Sequence, residues 1–382
     1  MAGVALPVIT LRGAAYERGF AHGSQARDRV GLCVETYLRA FHLQASLDRA
    51  QVRAAARRFL PAIEQFDPAL LAELQGLADG ANQTLEDVIA VNARNELLFT
   101  VQPECTAVAV LPTATHSGHT LLAQNLDWKT SATATAVVLE IVQEDEGRPN
   151  IVTVTEAGTL ARAGLNAAGL GLCVNFLYSS GSDARRLGWA GVPTQLLRRS
   201  ILNAWTFGDA VGPLYQIGRC IASNYLIAHA DGEALDIEAA PEGLEHLEPS
   251  DGLLVHSNHF LSAWGRRIDA GIAVLPDTLW RASRVRHLLA PRSGALDVAD
   301  LMAALRDHGN YPDSICRHGD ERDPVPGRME TSVSLVMDLT ARRLWLTHGP
   351  PCASEYQELD VPSVRRAAGR PQPPSSLGAG AR

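Results

Sequence analysis

From residue 13 to residue 98 apolar positions recur at helical spacing among Ala, Leu, Arg and Glu, which predicts that the first hundred residues are mostly helix. "TLEDVIAVNARNELL" opens with Thr84 and Asp87 in capping-box positions. Asp67-Pro68 ahead of "ALLAELQGLADG" gives a second cap, with proline at the first helical position and Gly80 as the stop. After Glu104 the texture changes to short β-branched and alternating runs, "CTAVAVL", "TLLAQNLDW", "AVVLEIVQ", "IVTVTEAG" and "GLGLCVNF", separated by turns with Gly, Pro or Ser, and these read as strands. A helical stretch over about 193–219 interrupts them before "NYLIAHADGEALDIEAAP" and "GLLVHSNHF" resume strand character. "TLWRASRVRHLLA" and "DVADLMAALRDH" read as helices, and "SVSLVMDLTARRLWLTH" as a closing hairpin around Thr340 and Ala341. Runs of strands broken by runs of helices predict an α+β layered fold rather than regular βαβ alternation.

No repeat of about 20–50 residues is visible. The segment from Val364 to Arg382 has no acidic residue, four Arg and three Pro among Gly, Ser and Ala, so a disordered tail is expected. With 46% apolar and 20% charged residues, the 382-residue chain has an ordinary globular composition, which excludes disorder throughout. A net charge of -8 argues against a nucleic-acid or anionic-membrane partner, since both need clustered positive surface. The first residues lack the basic region and apolar core of a signal peptide, and no apolar run approaches the roughly 18 residues of a membrane helix. Six cysteines (Cys33, Cys105, Cys173, Cys220, Cys316, Cys352) lie far apart, so free thiols in a reducing cytoplasm are expected.

Cys105 stands at the start of the first strand, directly after Pro103 and Glu104. A free cysteine is most often a small buried hydrophobe. The chemical alternative is a nucleophile, and a thiol near its ordinary pKa of about 8.5 needs a neighbouring base. Opening the chain just before the cysteine would supply one, because the new α-amino group titrates at about 7.7–8.0. The run from Cys105 to Trp128 reads as a hairpin, which returns Asn125 or Asp127 to the cysteine, and a carboxylate there would orient the amine.

Several separated motifs, "ECTAVAV", "AQNLDW", "VTEAGTLARAGLNAAGLGLCVNF", "GVPTQLLRRSIL", "HSNHF" and "YPDSICR", resemble in order those of the acyl-coenzyme A:6-aminopenicillanic acid acyltransferase (isopenicillin N acyltransferase) family. These are autoproteolytic N-terminal-nucleophile (Ntn) proteins related to choloylglycine hydrolases. The resemblance implies an αββα sandwich, two antiparallel sheets between helical layers. It also implies self-cleavage of the Glu104-Cys105 bond into a small helical chain, 1–104, and a nucleophile-bearing chain, 105–363, with the tail 364–382 beyond it. On the matching positions it implies Cys105 as nucleophile, Asp127 as the carboxylate that orients the amine, and Asn258 as oxyanion donor. Arg328 falls at an active-site arginine and Asn175 at a second polar contact. Glu104 departs from the glycine of the fungal penicillin enzyme, and Gly327 from its serine.

The expected substrate is a small-molecule amide or acyl thioester, with no cofactor or metal, acyl-coenzyme A as a candidate co-substrate, association of the two cleaved chains, and homo-oligomerisation left open. Two other functions fit parts of the sequence. "HSGH" and "HSNH" place histidines three apart, so that His116, His119, His256 and His259 would suit a zinc-dependent hydrolase. A non-catalytic binding protein on the same fold is the second. "GLNAAGLGLC" lacks the lysine of a phosphate loop and is read as strand packing, and Arg281, Arg284 and Arg286 as a solvated helix face able to meet coenzyme A phosphates.

Overall fold

The computed structural model describes residues 5–98, 105–183, 191–323 and 328–362, so Glu104 and the 364–382 tail lie outside the described residues. Among these, fourteen strands are β1 (Val8–Leu11), β2 (Cys105–Val110), β3 (Leu121–Lys129), β4 (Ala136–Ile141), β5 (Ile151–Glu156), β6 (Ala163–Asn166), β7 (Leu170–Phe176), β8 (Ser223–His229), β9 (Glu233–Ala240), β10 (Gly243–Leu247), β11 (Leu253–His256), β12 (Met329–Asp338), β13 (Arg343–His348) and β14 (Gln357–Asp360). They form one sheet in the order β1-β4-β5-β6-β7-β8-β9-β10 and another in the order β11-β2-β3-β12-β13-β14. Every neighbouring pair is antiparallel except β1 with β4.

The period of two decides the layering. In β4, Val137, Leu139 and Ile141 pack against the N-terminal helices, while Val138 faces the other sheet. In β2, Ala107 and Ala109 face the inter-sheet space with Cys105, and Val108 and Val110 pack with Val285, Leu289 and Leu301 of the helices Asp277–Leu289 and Val298–Leu305. The result is helices, eight-stranded sheet, six-stranded sheet, helices: the αββα sandwich expected of an Ntn protein. No described helix is long and apolar enough to cross a membrane.

The helical prediction for the first hundred residues holds, with β1 added ahead of it. Asp67 and Thr84 cap their helices, accepting from Ala69 N at 3.0 Å and Asp87 N at 3.2 Å, but the capping box at Thr84 is only half made, because the Asp87 carboxylate is taken by Arg49 and Arg53. Gly80, however, lies inside the helix Pro68–Ala81, and Asn82 ends it in the left-handed region at φ 56°. Gly80 serves packing instead. The helices Ala15–Gln25 and Pro68–Ala81 cross so closely that a Cβ on Gly19 or Gly76 would meet the facing backbone oxygen at 1.9 or 2.0 Å.

The stretch 193–219 is two helices, Thr194–Leu202 and Phe207–Gln216, because Thr206 starts a new one by accepting from Asp209 N. Arg281, read as solvated, is fully buried at 0% exposure, while Arg284 pairs with Asp307 and Arg286 is exposed.

Candidate active site

The hairpin β2–β3 sets the frame. Cys105 pairs with Leu126, so Asp127 lies one residue beyond the strand partner of the cysteine. Alternation puts the two on opposite faces, with the thiol among Ala107, Ala109 and Leu126 between the sheets and Asp127 opposite Thr331 on β12.

The backbone of Cys105 is held at both ends. Its nitrogen donates to Asn258 Oδ1 at 2.7 Å, and its carbonyl accepts from Arg281 Nη1 at 2.8 Å and Asn175 Nδ2 at 3.1 Å. Arg281 Nη2 also reaches Asn258 Oδ1, at 3.0 Å. Both groups facing that atom can only donate, which fixes it as the amide oxygen. Asn258 is fixed in turn, its nitrogen donating to Thr278 Oγ1 at 2.6 Å and its Nδ2 to the Phe176 carbonyl at 3.0 Å. Below this loop His256 bonds Glu238 at 3.0 Å, and Glu238 Oε2 accepts from Ser262 N at 3.1 Å. Burial opposes a charge on His256, yet Asp236 and Glu238 outweigh it and hold its pKa up at about 9.

Asp127 is completely buried. Thr331 Oγ1 donates to its Oδ1 at 2.7 Å, and its Oδ2 has no hydrogen-bond partner among the described residues. Burial pushes its pKa up to about 6, against the opposing pull of Arg281, Arg317, the Thr331 hydroxyl and Arg162. Burial likewise raises the Cys105 thiol, with Arg162 pulling the other way.

The thiol lines a small pocket with Arg94, Asn95, Trp128, Arg162, Phe176 and Arg198. Arg162 Nη2 lies 3.9 Å from Sγ, and its guanidinium stacks over Trp128 at 5.9 Å. Arg94 is neutralised by Glu156 at 2.7 Å. Arg162 and Arg198, both buried, make no ion pair within 4 Å among the described residues, although Asp127 feels the field of Arg162 and Glu96 that of Arg198; burial draws Arg198 down to about 10. Two cations in a pocket without a contacting carboxylate are a place for an anion.

Of the residues singled out in the sequence, the structure brings Cys105, Asn258 and Asn175 into direct contact and Asp127 to the adjacent strand position. Arg328 is elsewhere. Its guanidinium donates to the carbonyls of Glu321 and Asp323, at 3.1 and 3.2 Å, while Arg281, Arg317 and Arg162 are the cations whose fields reach Asp127. Arg281 had a readable signal, since it shares the stripe of buried positions Thr278, Ala282, Val285 and Leu289 along its helix. Arg162 and Arg198 had none. The histidine pairs are spent otherwise, with His119 on Asp338 at 2.8 Å, His116 exposed, and His259 on Thr278 at 3.0 Å.

A four-layer sandwich with a cysteine opening a central strand is the arrangement of Ntn enzymes. Residues 113–352 match the model of the family described as acyl-coenzyme A:6-aminopenicillanic acid acyl-transferase. The chain therefore belongs to that family, and it is an enzyme of acyl transfer or amide hydrolysis. It is 28% identical over 345 residues, 90% of this chain and 92% of the relative, to the 40 kDa form of acyl-coenzyme A:6-aminopenicillanic-acid-acyltransferase of Emericella nidulans. Among solved structures, penicillin V acylase from Agrobacterium tumefaciens aligns with 17% identity and a TM-score of 0.44 over 64% of this chain and 83% of that one. The C2A mutant of conjugated bile acid hydrolase from Clostridium perfringens aligns with 12% identity and a TM-score of 0.40 over 69% and 100%.

Proposed function

We propose that the protein activates itself by breaking the Glu104-Cys105 bond and then transfers acyl groups through Cys105. The observation that carries this reading is the clamp on Cys105, whose nitrogen and carbonyl are both held at the mouth of β2 while its thiol faces the pocket. In the first step Sγ adds to the Glu104 carbonyl carbon and the carbon–nitrogen bond breaks. Water then hydrolyses the thioester, leaving a carboxylate on Glu104 and an amine on Cys105.

In the mature enzyme that amine takes the thiol proton, with Asn258 Oδ1 and the unpartnered oxygen of Asp127 as its acceptors. The thiolate adds to the carbonyl of an amide or acyl thioester. Arg162, a donor 3.9 Å from the sulfur, lies within reach of an oxygen on the carbon attacked and serves the oxyanion. Asn258, to which the family resemblance gives that task, acts in this reading by orienting the amine, and Asn175 by holding the carbonyl. The leaving amine or thiol departs with the proton, and water or an acceptor amine releases the acyl group. Substrates carrying a carboxylate fit best, because Arg162 and Arg198 have no carboxylate in direct contact among the described residues.

Intact-mass measurement under denaturing conditions tests the reading: two polypeptides, 1–104 and 105–382, are expected, with Cys105→Ala remaining one. Wild-type protein that stays whole yet turns over amides would overturn the self-processing step. Incubation with acyl thioesters, with and without amines, separates transfer from hydrolysis and captures the acyl-cysteine by mass.

A further inference from the structure

Apart from both histidine pairs, four other side chains converge. His308 follows the helix Val298–Leu305, Cys316 and His318 flank Arg317, and Cys352 follows β13; one ligand atom from each lies within 4.8 Å of all the others. His318 Nε2 is 3.1 Å from His308 Nε2, 3.6 Å from Cys316 Sγ and 3.4 Å from Cys352 Sγ. Hydrogen bonding does not account for this. An imidazole nitrogen has either one proton or one lone pair, so it satisfies one such neighbour, not three.

A common centre does account for it. With zinc–nitrogen bonds of about 2.0–2.1 Å and zinc–sulfur bonds of about 2.3 Å, tetrahedral angles put nitrogens about 3.4 Å apart and nitrogen and sulfur about 3.5 Å apart. We propose that His308, Cys316, His318 and Cys352 bind a zinc ion as a structural tie. Two thiolates and two neutral imidazoles compensate the charge of the ion and select zinc over hard cations. Four protein ligands leave no open position, so the ion is a strut rather than a Lewis acid for substrate.

The surrounding backbone is already arranged for it. Cys316 N donates to the Asp307 carbonyl at 3.0 Å and His318 N to the Pro312 carbonyl at 3.1 Å, closing the segment into a compact loop, and Arg306 Nε bonds the Pro351 carbonyl at 2.9 Å beside Cys352. The loop leads to Asp127. Arg317, between two ligands, donates its N–H to Thr331 Oγ1 at 3.0 Å and accepts from Thr331 N at 3.1 Å, and the same hydroxyl donates to Asp127 at 2.7 Å. The ion would thus fix the loop from which Thr331 is oriented, whether or not Cys105 is the nucleophile.

The test uses the full chain purified under reducing conditions. Elemental analysis should find one equivalent of zinc per chain, falling to background in His308→Ala and Cys352→Ser, both exposed positions. Cobalt(II) added to chelator-stripped wild-type protein should give thiolate-to-cobalt charge transfer and the intense visible bands of a tetrahedral site. This readout does not depend on the variants folding, nor on turnover. Metal-free protein that gives no such bands would overturn the proposal. So would bands unchanged in both variants, or a Cys316–Cys352 disulfide in protein alkylated during lysis.

Discussion

Arg281 offers a sharp test of the site, because its guanidinium meets Cys105 O, Thr106 Oγ1, Asn258 Oδ1 and Asp277 Oδ2 at 2.8, 3.0, 3.0 and 2.9 Å. Arg281→Met keeps most of the buried stem and removes the donors. Four charge-assisted bonds at about 1.5–3 kcal/mol each would sum to a loss the fold could not survive. Three of the acceptors keep a second donor, however: Asn175 on Cys105 O, the Cys105 N–H on Asn258, and Arg317 on Asp277. The stability cost should therefore sit near the lower end of the range for breaking a buried ion pair, about 3 kcal/mol. At about 2.1 cal/mol/K per residue over 382 residues, the unfolding entropy is about 0.8 kcal/mol/K, so Tm should fall by about 4 °C. The chemistry should suffer far more, since a shift of about 1 Å in a reacting group costs about 100-fold. Arg281→Lys should resemble Arg281→Met, because a single ammonium cannot span four acceptors. Thermal unfolding and a time course of chain cleavage and turnover measure both effects. Wild-type cleavage and turnover in Arg281→Met would refute the clamp, whatever the Tm.

Arg162→Met should lower kcat for every substrate by about 10²- to 10³-fold through loss of the oxyanion donor, and in addition raise KM for carboxylate-bearing substrates alone by roughly 10- to 150-fold, the value of one charge-assisted hydrogen bond. A KM equally affected for charged and uncharged substrates would remove Arg162 from carboxylate recognition, and an unchanged kcat would remove it from the oxyanion site. If ionised Asp127 is needed, kcat should decline as pH falls through about 6, and Asp127→Asn should be slow at every pH, so a profile flat from 8 to 5 would contradict the role. His256 is raised in the folded state, so it contributes stability in full below its unfolded pKa of about 6.5, and that contribution is lost as pH rises through about 9. Unfolding followed in denaturant from pH 6 to 10 should show the loss in wild type and a weaker dependence in His256→Gln.

The α+β character and the place of Cys105 at the mouth of a strand were legible because they rest on local periodicity, whereas the sandwich and the role expected of Cys105 came from the family resemblance. β2 and β3 alternate cleanly, and the hairpin follows from their adjacency, so the neighbourhood of Cys105 and Asp127 could be read from a few dozen residues. β6, β10 and β14 escaped notice because four or five residues show little alternation. Arg281 was misjudged for a different reason. Charge argues for solvent, and only tertiary partners such as Asn258 and the Cys105 carbonyl make burial of Arg281 affordable. His308, Cys316, His318 and Cys352 span 45 positions, beyond the reach of any short ligand spacing, and meet only when β13 and the loop after the helix Val298–Leu305 are side by side.

The pairing of β1 with β4 bears on how such a molecule is made. Residues ahead of the proposed cut are inseparable from those beyond it: Glu73 is gripped by Arg199 at 2.7 Å, Tyr37 bonds Glu156 at 2.9 Å, and β1 runs beside β4. If the bond before Cys105 opens, the first segment stays as a permanent subunit. Covalent continuity would then be used once, to bring the halves together as an intramolecular event, and erased afterwards. Denatured mature enzyme would face a bimolecular search that its precursor never met, so its recovery should depend on protein concentration while that of Cys105→Ala should not. Folding, once completed and cut, would be a step the molecule cannot simply retrace.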